Sequence, residues 1–379
     1  MPAPSAEVRK AELYDLVVTK GVGHQEALER LGFTNNQYEK WRQRDPAWAA
    51  RYTTGRLARK REASGPPPGT FQAFVDRYFP DRRPHLAHQI MLVDALENLK
   101  ENDVCLFLIW PEAGKSSTLE DYICWRLALD PDHRFRIVSQ SQEHAKRMVG
   151  FIQGRMTSPD PWELYQREYG PFFEKGQDRR GKPWSTEQFT VHGSSGTERD
   201  RSLVASSWTS ATYGSRIDTA IFDDVQSPEN YTQAEKMFAH IRGTFFSRGL
   251  GIKTVFIGTR VGPGDLYERM MDAGIVTKTI ILPAAGGMGT EAGTPTVPEW
   301  WMTNLVHDGG PCCPIGLRKC PRTGMRLTAQ EFMELKKFQT GTHNWHSMYQ
   351  QNPVPDELST FSAALEACLD VNRLVGSTV

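Results

Sequence analysis

The chain has 379 residues, 39% hydrophobic and 24% charged, a composition that excludes a disordered or fibrous protein and allows one large α/β domain with a small accessory domain. Its 45 Lys and Arg balance 45 Asp and Glu, so no global field draws a polyanion and any contact with nucleic acid must be a local patch. The run Val104 to Trp110 is far short of the about 20 apolar residues that a membrane span needs, the opening MPAPSAEVRK lacks a secretory core, and Cys105, Cys124, Cys312, Cys313, Cys320 and Cys368 show no regular disulfide framework, which favours a reducing cytoplasm.

Residues 1–61 read as a small helical module. Val8, Ala11 and Tyr14, followed by Leu16-Val17-Val18, form a first apolar stripe, and Gln25 to Leu31 a second. Gly32 ends that helix and Thr34-Asn35-Asn36 can cap the next, on which Tyr38 and Trp41 share a face; this is helix-turn-helix spacing. Arg51, Arg56, Arg59, Lys60 and Arg61 follow with no acid among them, fitting either a phosphate backbone or a solvated helix face. Residues 62–69 (EASGPPPG) read as a linker, because proline lacks the N–H that a helix requires.

From about residue 70 to 285 the pattern alternates. Apolar strands are expected at 104–110, 135–140, 219–223 and 254–258, with helices at 116–129, 142–156 and 232–247, as in a mostly parallel sheet flanked by helices. Residues 285–325 are rich in Gly and Pro and read as loop, Thr328 to Phe338 as a last helix. Within the loop, His307, Cys312, Cys313 and Cys320 raise the question of zinc, but adjacent cysteines and the lack of a Cys-x-x-Cys pair favour free thiols.

Three strand ends carry chemistry. In Leu108-Ile109-Trp110-Pro111-Glu112-Ala113-Gly114-Lys115-Ser116-Ser117 an apolar strand enters a Gly-Lys-Ser turn that opens a helix. There backbone N–H groups can hold phosphate, Lys115 can bridge the β- and γ-phosphates, and the Ser116 hydroxyl can ligate Mg²⁺. The usual first glycine of such a loop is replaced by Ile109. In Ala220-Ile221-Phe222-Asp223-Asp224 a strand ends in two acids, Asp223 placed to hold Mg²⁺ and Asp224 to orient or deprotonate a water. In Val255-Phe256-Ile257-Gly258-Thr259-Arg260 a third ends in polar residues able to sense a γ-phosphate. Alone, a Gly-Lys-Ser recurs by chance and two acids can cap a loop; in this order the three form a constellation.

These segments, with Gly214-Ser215-Arg216-Ile217-Asp218 before the acidic strand, Asp265-Leu266-Tyr267, and Met348-Tyr349-Gln350-Gln351-Asn352-Pro353, resemble the ATPase half of bacteriophage terminase large subunits over roughly residues 70–360. The resemblance implies a RecA/ASCE-like P-loop domain over 70–355 that uses ATP and Mg²⁺. In it Lys115 and Ser116 are the Walker A residues, Asp223 the Walker B magnesium residue, Asp224 the catalytic carboxylate, Thr259 the coupling residue and Gln89 the adenine reader. Pro111, Glu112, Ala113, Gly114 and Ser117 complete the phosphate-binding loop. Many terminases carry an arginine in that loop and this chain does not. A trans-acting arginine is therefore sought in Arg216 first, with Arg199, Arg201 and Arg260 as rivals and a structural salt bridge the competing role for each. Asp224 stands where many relatives have Glu, which is longer by about 1.5 Å.

The resemblance further implies partners: double-stranded viral DNA, portal protein and procapsid, a small terminase subunit, and other copies in a ring, in the host cytoplasm and away from membrane. The helix Asn36 to Arg44 resembles the DNA-facing element of modules found ahead of some terminases, although such modules also hold protein partners. Residues 356–379 are too few for the ribonuclease-H-like nuclease of full-length terminases, so no DNA cleavage is expected. The competing readings are a helicase-like P-loop translocase and a non-catalytic DNA-binding or assembly module with a degenerate P-loop.

Overall fold

The computed structural model describes residues 6–45, 47–49, 51–52, 55–56, 59, 69–79, 87–177, 183–195, 201–210, 216–246, 251–288, 295–296 and 329–353. Lys60, Arg61, Arg199, the zinc question at His307, Cys312, Cys313 and Cys320, most of the expected linker, and residues 356–379 lie outside them. The chain divides into two units, one of residues 1–84, 120–134 and 147–204, the other of 85–119, 135–146 and 205–379.

In the first unit, Ala6–Tyr14, His24–Arg30 and Asn35–Arg44 are helices. The third begins as the sequence predicts: Thr34 accepts from the Gln37 backbone while the Gln37 side chain returns to the Thr34 N–H, a reciprocal capping box. Leu13, Val17, Ala27, Leu28, Phe33, Tyr38, Trp48, Ala49 and Tyr52 bury together, with Trp41 packed against them. Tyr38 and Trp41 therefore spend their shared face on the module's own core, and Asn36, Gln37, Lys40, Gln43 and Arg44 remain exposed. A second cluster forms where the helix Phe71–Tyr78 meets Tyr165 and Tyr169; Glu168 accepts from both Arg77 and Tyr78 there.

Seven strands form one sheet: β1 (Val104–Ile109), β2 (Phe135–Ser139), β3 (Gln188–Phe189), β4 (Leu203–Ser207), β5 (Thr219–Asp223), β6 (Lys253–Gly258) and β7 (Lys278–Leu282), in the order β3-β4-β2-β5-β6-β1-β7. The pairs β1–β6, β1–β7, β2–β5 and β5–β6 are parallel, and β3–β4 is antiparallel. Thus β6 separates β1, which runs into the Gly-Lys-Ser turn, from the acidic strand β5, and all three end on one edge. This is the expected mostly parallel sheet flanked by helices. Strands β1, β2 and β5 are buried at every position, which is why they read as unbroken apolar runs. Phe222 of β5 stacks on Phe256 of β6 with centroids 4.1 Å apart, in a core that takes in Leu106, Leu108, Met237, Leu266 and Tyr267.

The helices Lys115–Leu129 and Gln142–Thr157 fall where expected. The single helix expected over 232–247 is instead a tight turn Pro228–Gln233, a helix Ala234–His240 and a widened turn Ile241–Phe246. The last helix continues past Phe338 to Asn344, through a left-handed Gly341 (φ 78°) that bends it. Strand β7 escapes the sequence reading because Lys278, Thr279 and Ile281 are exposed, so no buried run marks it. Among the described residues no helix is long and apolar enough to cross a membrane.

Candidate nucleotide site at the ends of β1, β5 and β6

The loop after β1 makes its turn without the usual first glycine. Glu112 and Gly114 both adopt left-handed backbone, at φ 65° and 78°, and such residues alternating with right-handed ones gather backbone N–H groups into an anion-binding concavity. That conformation is strained for a side chain, by roughly 1–2 kcal/mol; Glu112 carries it while remaining exposed. Lys115 then opens a 15-residue helix whose own first turn carries no acid to offset the positive potential of its amides and dipole.

Two residues from the helix Ala87–Glu97 brace this loop. His88 Nε2 lies 2.9 Å from the Ala113 carbonyl, which can only accept, so Nε2 carries a proton. The imidazole packs on Trp110 at 5.3 Å. Gln89 donates to the Gly114 carbonyl at 3.5 Å and is 2% exposed. The amide expected to read adenine thus rests, in this structure, on loop backbone. Thr118 also donates to the Gly114 carbonyl, at 2.9 Å. Local sequence shows no sign of the His88 contact, which joins residues 25 positions apart.

Register brings the three strand ends together. Asp223 lies opposite Ile257, and Leu108 opposite Gly258. Lys115 Nζ donates to Thr259 Oγ1 at 2.9 Å, Thr259 Oγ1 donates to the Ile109 carbonyl at 2.9 Å, and Ser116 Oγ donates to Asp223 Oδ2 at 2.9 Å. Lys115 Nζ also lies 3.4 Å from Asp224 Oδ1. Asp224 reaches it from a left-handed backbone (φ 42°) whose N–H is held by the Ile257 carbonyl. Lys115, Ser116, Asp223, Asp224 and Thr259 are therefore assembled, while Pro111, Glu112, Ala113, Gly114 and Ser117 surround Lys115 in the loop and first turn.

Asp223 has the features of a cation ligand. It is 4% exposed and, among the described residues, its Oδ1 has no hydrogen-bond partner. Burial, then the neighbouring Asp224 charge, push its carboxyl up to about 7 against the opposing pull of Lys115 and Ser116. A buried carboxyl so reluctant to ionise gains most from a cation, and a hydroxyl stands beside it. Among the described residues no three His, Cys, Asp or Glu side chains converge on a metal. One carboxylate and one hydroxyl, completed by phosphate oxygens and water, are the donor set that suits Mg²⁺.

No protein-family model matches the chain, and no curated protein matches it. Among solved structures it is similar to the large terminase of bacteriophage HK97, at 13% identity and a TM-score of 0.40, over 57% of this chain and 44% of that one. It therefore spans less than half of that protein's length. It is also similar to the large terminase ATPase domain of Thermus phage P74-26, at 12% identity and a TM-score of 0.35, over 75% of this chain and 97% of the domain. A point mutant of that domain gives 12% identity and 0.38, over 76% and 99%.

The candidate arginines separate by environment. Arg260 is 6% exposed and engaged, its guanidinium 2.7 Å from Asp265 and 2.6 Å from Glu268, and its N–H donates to Gln351 Oε1 at 3.0 Å. Arg201 is half-buried and belongs to the other unit. Arg216 is exposed and, among the described residues, forms no ion pair. The exit motif contributes structurally: Tyr349 accepts from the Ala284 N–H at 2.7 Å, and Gln351, left-handed at φ 55°, holds the end of β6 through Arg260.

Proposed function

We propose that the chain is a Mg²⁺-dependent ATPase, the motor that moves double-stranded DNA into a phage procapsid. The observation that carries hydrolysis is the convergence of Lys115, Ser116, Asp223, Asp224 and Thr259, with Asp223 Oδ1 buried and unpartnered. In this reading the loop from Pro111 to Gly114 and the amides of Ser116 and Ser117 bind the phosphates, and Lys115 neutralises the γ-phosphate oxygens. Ser116 and Asp223 would hold Mg²⁺, which supplies charge neutralisation on the β- and γ-phosphates. Asp224 orients and deprotonates the attacking water, and Thr259 reports the presence of the γ-phosphate to β6. Gln89 reads adenine if its amide turns from the Gly114 carbonyl. Arg216, exposed and without an ion pair among the described residues, is assigned to a neighbouring subunit's nucleotide, where it would stabilise transition-state charge.

Packaging, as distinct from hydrolysis, rests on the motif resemblance. It brings with it the portal protein and procapsid, a small terminase subunit, ring assembly in the host cytoplasm, and residues 1–61 as a helix-turn-helix module ahead of a P-loop domain over 70–355. The test is ATP turnover with and without double-stranded DNA, with Lys115→Ala as control. DNA-stimulated turnover that Lys115→Ala abolishes is expected. No turnover in either condition would favour a non-catalytic assembly module, and unwinding of a tailed duplex a helicase-like translocase.

A further inference from the structure

The Asp223–Asp224 turn rests on a side chain that the chemistry above leaves unused. Tyr267, on the helix Leu266–Asp272, is fully buried; its oxygen lies near the Gln226 N–H, but among the described residues its O–H donates to no acceptor. It fills the place where β6 has glycine, since a Cβ on Gly258 would overlap the Tyr267 hydroxyl and Cζ. β5 ends with Asp223 opposite Ile257, and the N–H of Asp224 bonds the Ile257 carbonyl at 2.9 Å, which sets Asp224 against the peptide that joins Ile257 to Gly258. The segment after Asp224 is tied to the same helix, because Gln226 Oε1 accepts the Leu266 N–H at 2.5 Å.

Burial, then the charges of Asp224, Asp265 and Asp223, hold the phenol protonated, so it is a donor in search of an acceptor. Asp265 is committed elsewhere, one oxygen to the Glu268 N–H and the other to Arg260 and the Val261 N–H. Asp223 Oδ2 is taken by Ser116, and its Oδ1 is the atom assigned above to the cation. The Asp224 carboxylate is held by Lys115, the ammonium that a bound triphosphate would claim. A phenylalanine would fill the same space without a buried O–H that lacks an acceptor, so a state that brings an acceptor to it would give the hydroxyl a use.

We propose that Tyr267 is a positioning residue for Asp224: when polyphosphate draws Lys115 away, the Tyr267 hydroxyl donates to the Asp224 carboxylate and fixes its direction. A neutral donor orients the carboxylate without cancelling its charge. The inference rests on the ATPase reading.

The experiment compares the full chain with Tyr267→Phe in steady-state ATP hydrolysis, binding of a fluorescent ATP analogue, and thermal unfolding. Expected are a roughly tenfold lower kcat, nucleotide affinity within about twofold, and an unchanged or raised Tm. Tyr267→Leu, which also removes packing, is expected to lower Tm and so calibrates a purely structural effect. Wild-type kcat in Tyr267→Phe, or a loss that follows Tm or affinity, would overturn the role. Absence of turnover in the wild type would overturn the ATPase reading, and this role with it.

Discussion

At the scale of single residues, the site stores unfavourable terms that a ligand would relieve. Asp223 shows the sign. Its folded value of about 7 lies above the ordinary 3.8, so the native state holds its proton more tightly than the unfolded chain does. The stability linked to that proton is complete below about pH 4 and is lost as the pH rises through 7, an amount of order 4 kcal/mol at most. Asp223→Asn should therefore flatten the decline of stability between pH 4 and 7 and stabilise the nucleotide-free protein above it, measured by urea unfolding across pH. A decline as steep as in the wild type would show that Asp223 is not the group responsible. Glu112 makes a second case. Its left-handed φ of 65° suits glycine, and its ion pair with Lys336, at 3.6 Å and half-exposed, is weak compensation. Glu112→Gly should stabilise the fold by about 1 kcal/mol and, by removing an anion from the phosphate loop, tighten nucleotide binding; a lower urea midpoint would contradict the strain argument.

Among elements, β6 carries the contacts that join the site. Thr259 receives from Lys115 and donates to the Ile109 carbonyl, so one hydroxyl ties β6 to both the lysine and the end of β1. Thr259→Val keeps the shape and removes both bonds. Turnover should fall about tenfold to a hundredfold while nucleotide affinity changes little, a split read from kcat against Kd. The brace from the helix Ala87–Glu97 acts on the loop instead: His88→Ala removes a buried hydrogen bond and its packing on Trp110, and should cost about 1–3 kcal/mol of stability together with weaker nucleotide binding. The apolar runs at β1, β2, β5 and β6 were legible because strands buried on both faces need no alternation. The expected helix over 232–247 was not, since its apolar spacing reports burial and is satisfied equally by three short turns of different pitch.

For the whole molecule, every assembled site residue belongs to the unit of residues 85–119, 135–146 and 205–379, whereas the N-terminal helices gather their own core, nine buried residues among those described, in the other. Deleting residues 1–61 should therefore leave nucleotide affinity within about threefold. If the exposed face of Asn36, Lys40, Gln43 and Arg44 tracks a duplex, Lys40→Ala with Arg44→Ala should weaken DNA binding and lower the salt-dependence slope by about 0.9 per lost phosphate contact; an unchanged slope would assign that face to a protein partner. Local order along the chain was enough to place a Gly-Lys-Ser turn at the mouth of a strand and two acids at the end of another, because strand burial and helix-terminus anion binding depend on neighbours within a few residues. It did not show that Lys115 meets Asp224, that His88 holds the Ala113 carbonyl, that Arg260 is taken by Asp265 and Glu268, or that Tyr267 fills the space under Gly258. The meeting of Lys115 and Asp224 follows from inserting β6 between β1 and β5, a strand order set by long-range packing that no local periodicity records, and the other three from how helices and turns pack beside the strands.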